Sequence, residues 1–345
     1  MTTFLLFILI LGLIVFIHEF GHFIFAKKAG IYVYEFSLGF GPKLFSFHRK
    51  NDETEYMVRL IPLGGYVALA GETTDEDEDK DKVPEEKKLY NKSFLRQLSV
   101  MVAGVFSNFV LGFFLLFLIG FIYGPTYNTN EMDKIKEDSV LYESGLREGD
   151  TITSINGSNT YDYDDIILEL ASNESEGLTM KVVDSEGKDK EVEVKPYKAE
   201  ELADNFNIKN IKEDKHDFLA SVKYGGKKFG SIFKQCTKTI WYLIRGKVSI
   251  NKLSGPVGIY EVVGEVKSSL ISLLYLTALL SINIGFMNIL PFPAFDGGRA
   301  FLLIIEKITR KKVPLKVETA INNVGFILLM ILMVYITIKD VLNLF

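Results

Sequence analysis

Four stretches of the chain are apolar with few interruptions: Phe4–Phe16, Val100–Ile122, Leu270–Leu290 and Val324–Ile338. The longer ones reach about 20 residues, the length at which a helix crosses bilayer hydrocarbon. The pattern predicts four transmembrane helices. The first run reads as a span rather than a cleavable leader, because no basic residue precedes it. The polar His18-Glu19-Phe20-Gly21-His22, then Lys27 and Lys28, stand where a small-residue cleavage site would be expected.

Between the first two runs, Tyr32 to Tyr66 alternates polar and apolar residues in short pieces broken by Gly39, Gly41-Pro42 and Gly64-Gly65. That period predicts β-hairpins, and their Phe and Leu content suits the membrane interface. The acidic and Lys-rich run from Glu72 to Lys88 predicts a solvated, mobile loop. From Tyr127 to Tyr197 the composition is that of a small soluble domain. An alternating strand ends there in a tight Asn156-Gly157 turn, a helical stretch covers Tyr163 to Ala171, and strands are expected at Leu178–Val183 and Lys190–Val194. Its Gly145-Leu146-x-x-Gly149-Asp150-x-Ile152 pattern resembles a PDZ domain of the bacterial membrane-protease type. Phe218 to Leu243 carries apolar residues at helical spacing among Lys and Ser, which fits an amphipathic helix along the outer membrane surface or a helical linker. The expected organisation is a first membrane part at 1–126, a PDZ-like domain at 127–197, a linker at 198–266 and a second membrane part at 267–345. The fold class is an α-helical membrane protein with a membrane-associated β-hairpin region and one extracytoplasmic PDZ-like α+β domain.

Composition agrees: 48% of the 345 residues are hydrophobic. Basic residues fix the expected orientation, since Lys and Arg flanking spans are retained in the cytoplasm. They gather after the first span (Lys27, Lys28, Lys43, Arg49, Lys50, Arg59) and between the third and fourth (Arg299, Lys307, Arg310, Lys311, Lys312, Lys316). Both termini and the long middle segment are therefore expected outside a bacterial cell membrane, with the active site toward the cytoplasm. A net charge of -5 without aromatic interleaving of the basic residues excludes a nucleic-acid partner, and the single Cys236 excludes an internal disulfide.

His18-Glu19-x-x-His22 carries the chemistry. On a helix, residues four apart share a face, so both imidazoles reach one Zn²⁺ while Glu19 addresses a water held there. A carboxylate so placed takes the water's proton and returns it to a leaving amine, which is peptide hydrolysis. Three ionisable residues inside a span are costly unless they have a partner. A third ligand is required, and Asp296 is the candidate. It follows Pro291 and Pro293, which break the third span, and precedes Gly297-Gly298, on the same expected side as His18 and His22.

Together with Asn288-x-x-Pro291-x-Pro293-x-x-Asp296-Gly297-Gly298 and Ser254-Gly255-Pro256-Val257-Gly258-Ile259, these features resemble the site-2 protease family, in the bacterial regulated-intramembrane-proteolysis subgroup with one PDZ domain. The resemblance spans nearly the whole chain. It implies zinc ligands His18, His22 and Asp296, general base Glu19, and Asn288 near the substrate backbone. It also implies a β-loop that offers an edge strand to an unwound substrate, and single-span membrane-protein substrates pre-trimmed by another protease. Two positions depart from the family pattern: Phe295 replaces a Leu, and Ala103-Gly104-Val105 lacks the usual Pro after Ala-Gly. Two other readings of the same features are a membrane-anchored PDZ binding module and a metal transporter.

Overall fold

The first apolar run is part of a longer helix, α1 (Thr2–Ala29), which continues through the His-Glu motif and ends on Lys27 and Lys28, where positive charge complements the helix C-terminus. This computed structural model describes residues 2–72, 83–173, 177–197, 206–212, 217–250 and 253–343. After α1 come two long antiparallel strands, β1 (Val33–His48) and β2 (Glu55–Leu69), the expected hairpin region. A short helix, α2 (Phe94–Met101), leads into α3 (Ala103–Tyr123). The middle of the chain gives β3 (Thr126–Ile135), α4 (Val140–Glu143), β4 (Thr151–Ile155), β5 (Ser158–Asn159), α5 (Tyr163–Ser172), β6 (Leu178–Val183), β7 (Asp189–Val194), β8 (Phe206–Lys212) and α6 (Phe218–Ile244). Four helices close the fold: α7 (Pro256–Val266), α8 (Leu270–Ile289), α9 (Asp296–Thr309) and α10 (Leu315–Asn343). The helices α1, α3, α8 and α10 are long and apolar enough to cross a membrane, at the positions the hydrophobic pattern predicts.

The chain divides into two compact units, of which the first joins both ends of the sequence, Met1–Leu115 with Ser254–Phe345. Phe7, Ile10 and Ile14 on one face of α1 bury against Val263 of α7 and Leu276 and Leu280 of α8. At Gly21 an added Cβ would stand 2.5 Å from the Ala103 carbonyl oxygen, so α1 and α3 meet there backbone against side-chain-free backbone. Spans in lipid gain little from apolar contact alone, and small residues that permit close approach supply the packing instead. Near the end of α10, Asp340 accepts hydrogen bonds from the backbone nitrogens of Gly255 (2.7 Å) and Gly258 (3.2 Å). That places a carboxylate on the positive end of α7.

The solvated-loop reading of Glu72 to Lys88 needs correction at both ends, while 73–82 lie outside the described residues. Glu72 forms an ion pair with Arg299. Val83, Lys88 and Leu89 are buried, with Leu89 N donating to the Ala70 carbonyl (2.7 Å) and Tyr32 N to that of Lys87 (3.0 Å). Net charge density misled because a few backbone bonds and two apolar residues suffice to pin the segment.

The second unit, Leu116–Leu253, contains a sheet of order β7-β6-β4-β3-β8 with β5 paired to β4. Its core is built from Met132, Leu141, Leu146, Ile152, Ile155, Ile166 and Met180. Asn156 and Gly157 both have positive φ (48° and 77°), as the tight hairpin turn requires. Asp150 closes the preceding loop, accepting from Arg147 N at 2.7 Å and from Lys190 Nζ at 2.6 Å. Two features fall in the stretch the sequence reading treats as linker. β8 pairs along β3, and α6 is held on α5 by its cations: Lys234 to Asp165 at 2.7 Å and Lys238 to Glu169 at 3.2 Å. The amphipathic pattern located α6 correctly, and the partner of its polar face is the acidic side of α5.

Candidate metal centre

One turn separates His18 from His22 on α1, and both rings point toward α3, where Gly104 leaves the space they occupy. A Cβ on Gly104 would lie 2.3 Å from His22 Nε2 and 2.7 Å from His18 Nε2. Asp296 arrives from the other end of the sequence. After α8 the chain turns through Leu290–Phe295, with Ala294 at φ 75°, and Asp296 opens α9. The turn closes only because Gly297 and Gly298 follow, since side chains there would meet the carbonyl oxygens of Ile289 and Phe292, each at 2.2 Å. The positive end of α9 favours the carboxylate.

These elements bring three ligating atoms into one triangle. His18 Nε2 and His22 Nε2 are 3.3 Å apart, and Asp296 Oδ2 lies 3.1 Å from the first and 3.2 Å from the second. Bonds of the length zinc makes to nitrogen and oxygen, directed tetrahedrally, put neighbouring ligands about 3.3 Å apart. His22 Nδ1 donates to the Val100 carbonyl oxygen at 2.8 Å, so its Nε2 carries a lone pair in the neutral ring. Asp296 Oδ2 is buried and faces no polar group but the two imidazole nitrogens among the described residues. Two acceptors therefore face each other at van der Waals distance in a buried place, an arrangement that a cation stabilises and that otherwise repels. The residues present fit a zinc ion, and they are the only metal-capable cluster among the described residues.

A cavity of about 190 Å³ opens beside the triangle, lined by Glu19, Tyr66, Val67, Glu72 and Arg299 with the three ligating residues. Glu19 packs under the hairpin, where a Cβ on Gly65 would stand 3.4 Å from its Cγ. Larger cavities exist, including one of about 650 Å³ between Phe23, Arg49 and Lys87. Convergence of donors, rather than size, selects the site. Asn288 is half-buried near the end of α8, outside the lining of this cavity, and its side chain has no hydrogen-bond partner among the described residues.

Sequence reasoning passed over Gly104 and Asn108, treating their stretch as a matter of helix packing. Asn108 is fully buried, and its Nδ2 lies 3.3 Å from His18 Nδ1. The available signal was spacing: Gly104 and Asn108 are one turn apart on a span, and a polar side chain in a span calls for a partner. The Arg299–Glu72 pair also carried no local signal, because its partners are far apart in sequence.

Comparison with known proteins finds relatives along the whole chain. The chain is 36% identical to a protein of Clostridium acetobutylicum, covering 97% of this chain and 96% of the other. It is 31% identical to the zinc metalloprotease RasP of Bacillus licheniformis over the full length of both. With the regulator of sigma-W protease RasP of Bacillus subtilis it shares 30% identity over 99% of each. The profile of peptidase family M50 matches residues 6–332, and the chain belongs to that family.

Proposed function

We propose that the protein is a zinc-dependent intramembrane protease that hydrolyses peptide bonds within or beside the membrane spans of other proteins. One observation carries this reading: His18 Nε2, His22 Nε2 and Asp296 Oδ2 meet at 3.1–3.3 Å, and the two imidazoles stand on a helix apolar enough to cross a membrane. Zinc bound by these three residues would supply Lewis acidity toward a peptide carbonyl. Glu19 takes the proton of the attacking water and delivers it to the leaving amine. The Gly64–Val67 segment of β2, beside Glu19, presents backbone to an unwound substrate strand. Asn288, whose amide has no partner among the described residues, is our choice for a contact to the substrate backbone. Arg299, paired to Glu72, closes the cavity wall.

Substrates in this reading are single-span membrane proteins already shortened by another protease; the B. subtilis relative is named for regulation of sigma-W. The sheet, α4 and α5 of the second unit, with Leu146 and Ile152 in the core and Asp150 closing the loop, support a PDZ-like domain. That domain would exclude bulky extracytoplasmic parts. The transporter reading requires several polar stations along a path, and the described residues offer one metal-capable cluster.

Purified full-length protein is expected to carry one zinc per chain, and Asp296→Ala to lose it together with proteolysis. Unchanged metal content in that variant would move the third ligand elsewhere. The proposed topology has its own test. Burial pushes the Cys236 thiol up to about 11, which keeps background labelling slow. Against that background, Ser185→Cys should react with an impermeant thiol reagent in intact cells and Glu86→Cys should not. Both positions are exposed on their own units, so the reverse pattern would invert the protein.

A further inference from the structure

The crossing that brings α1 against α3 also sets a carboxamide against the metal centre. Among the described residues, the Asn108 amide is the only recorded hydrogen-bond partner of His18 Nδ1, at 3.3 Å from Nδ2. The other end of the amide, Oδ1, is buried and receives no hydrogen bond. The backbone beneath is fixed, since Ser281 Oγ donates to the Asn108 carbonyl oxygen at 2.8 Å and Gly285 leaves the room that the Asn108 Cβ fills. Only the amide itself is left free to choose its orientation.

A neutral imidazole has one N–H, and the partner of one nitrogen decides the state of the other. With Nδ2 donating to His18 Nδ1, the ring proton sits on Nε2 and faces Asp296 Oδ2 at 3.1 Å. That arrangement blocks ligation at Nε2. Binding a cation at Nε2 requires the proton on Nδ1, and then an acceptor for it. A half-turn of the amide about χ2 replaces Nδ2 by Oδ1 and provides one.

We propose that Asn108 is the positioning residue that sets the tautomer of His18, turning its amide so that Oδ1 accepts the Nδ1 proton and Nε2 is presented to the metal. This rests on the reading of His18, His22 and Asp296 as zinc ligands. Asparagine suits the position because a half-turn lets the same side chain meet either tautomer of the ring, as donor or as acceptor. His22 has no such freedom, since the Val100 carbonyl that holds its Nδ1 can only accept. The two imidazoles are thus held differently: one tautomer is fixed by the backbone, the other by a side chain that can turn.

The test measures zinc binding by chelator competition on the purified full-length protein, with no substrate present, for the wild type, Asn108→Leu and Asn108→Asp. Removing an outer hydrogen-bond partner of a metal-bound histidine typically costs about 10- to 100-fold in affinity, and that loss is expected for Asn108→Leu. Asn108→Asp can only accept from Nδ1–H, so it should hold zinc as tightly as the wild type or more so. A residue that merely fills the helix crossing gives the opposite order, because leucine keeps the volume and aspartate buries a charge. Wild-type affinity in Asn108→Leu, or an Asn108→Asp variant weaker than it, overturns the proposal. Thermal unfolding in excess chelator reports whether each variant is folded. If Asn108→Leu is not, Asn108→Asp decides alone, with retained zinc in support and lost zinc against. A wild type that binds no zinc would instead remove the metal reading itself, and this inference with it.

Discussion

Glu19→Gln is expected to retain zinc and to lose proteolysis by about 10²- to 10⁴-fold, the usual contribution of a positioned general base. The substitution keeps the shape of the side chain against Gly65 and leaves all three ligating residues untouched. What it removes is the ability to hold a proton between the attack of water and the departure of the amine. Metal analysis beside a cleavage assay on a membrane-protein substrate separates the alternatives: a variant that has lost its metal would make Glu19 a ligand. In cells, the same variant should leave trimmed substrates accumulating as truncated stubs in the membrane.

Gly104→Ala should empty the site by steric means. The new methyl would stand 2.3 Å from His22 Nε2 and 2.7 Å from His18 Nε2, so both rings must leave the positions that make the triangle. Loss of ligand geometry on that scale is expected to weaken zinc by about 100-fold or more, beyond the effect of losing a single outer partner. Gly112→Ala supplies the comparison. It lies on the same helix, and its Cβ would collide with Ile282 at 2.5 Å, far from the ligating atoms. Both substitutions should disturb packing of α3, and only the first should release zinc. Equal zinc retention in the two would show that the α1–α3 crossing can relax without moving the imidazoles.

The four spans were legible because a membrane imposes one requirement, an unbroken apolar run of sufficient length, on each of them separately. His18, Glu19 and His22 were legible because helical geometry alone brings residues four apart together. Asp296 was reached by adding the break at Pro291 and Pro293 to an expected topology, and the structure brings it within 3.2 Å of both imidazoles. What escaped depends on pairs distant in sequence. Nothing within 103–108 says that Gly104 faces two imidazoles, nor that Asn108 reaches one of them. The same holds for β8, whose residues Asn207 to Lys212 make a strand because β3 offers an edge. The lysines of α6 were visible in the sequence, and their pairing with the acidic side of α5 became visible only once both helices had been placed.

The first unit is assembled from the two ends of the sequence, with His18 and His22 in its opening helix and Asp296 after its third span. A growing polypeptide emerging from the ribosome therefore carries the two imidazoles well before the carboxylate that meets them has been made. Two histidines alone do not make the three-ligand site that catalytic zinc requires. On the proposed ligand set, a copy that stops short of Asp296 is expected to bind no zinc at this site, so hydrolytic competence would wait for the third span and the turn after it.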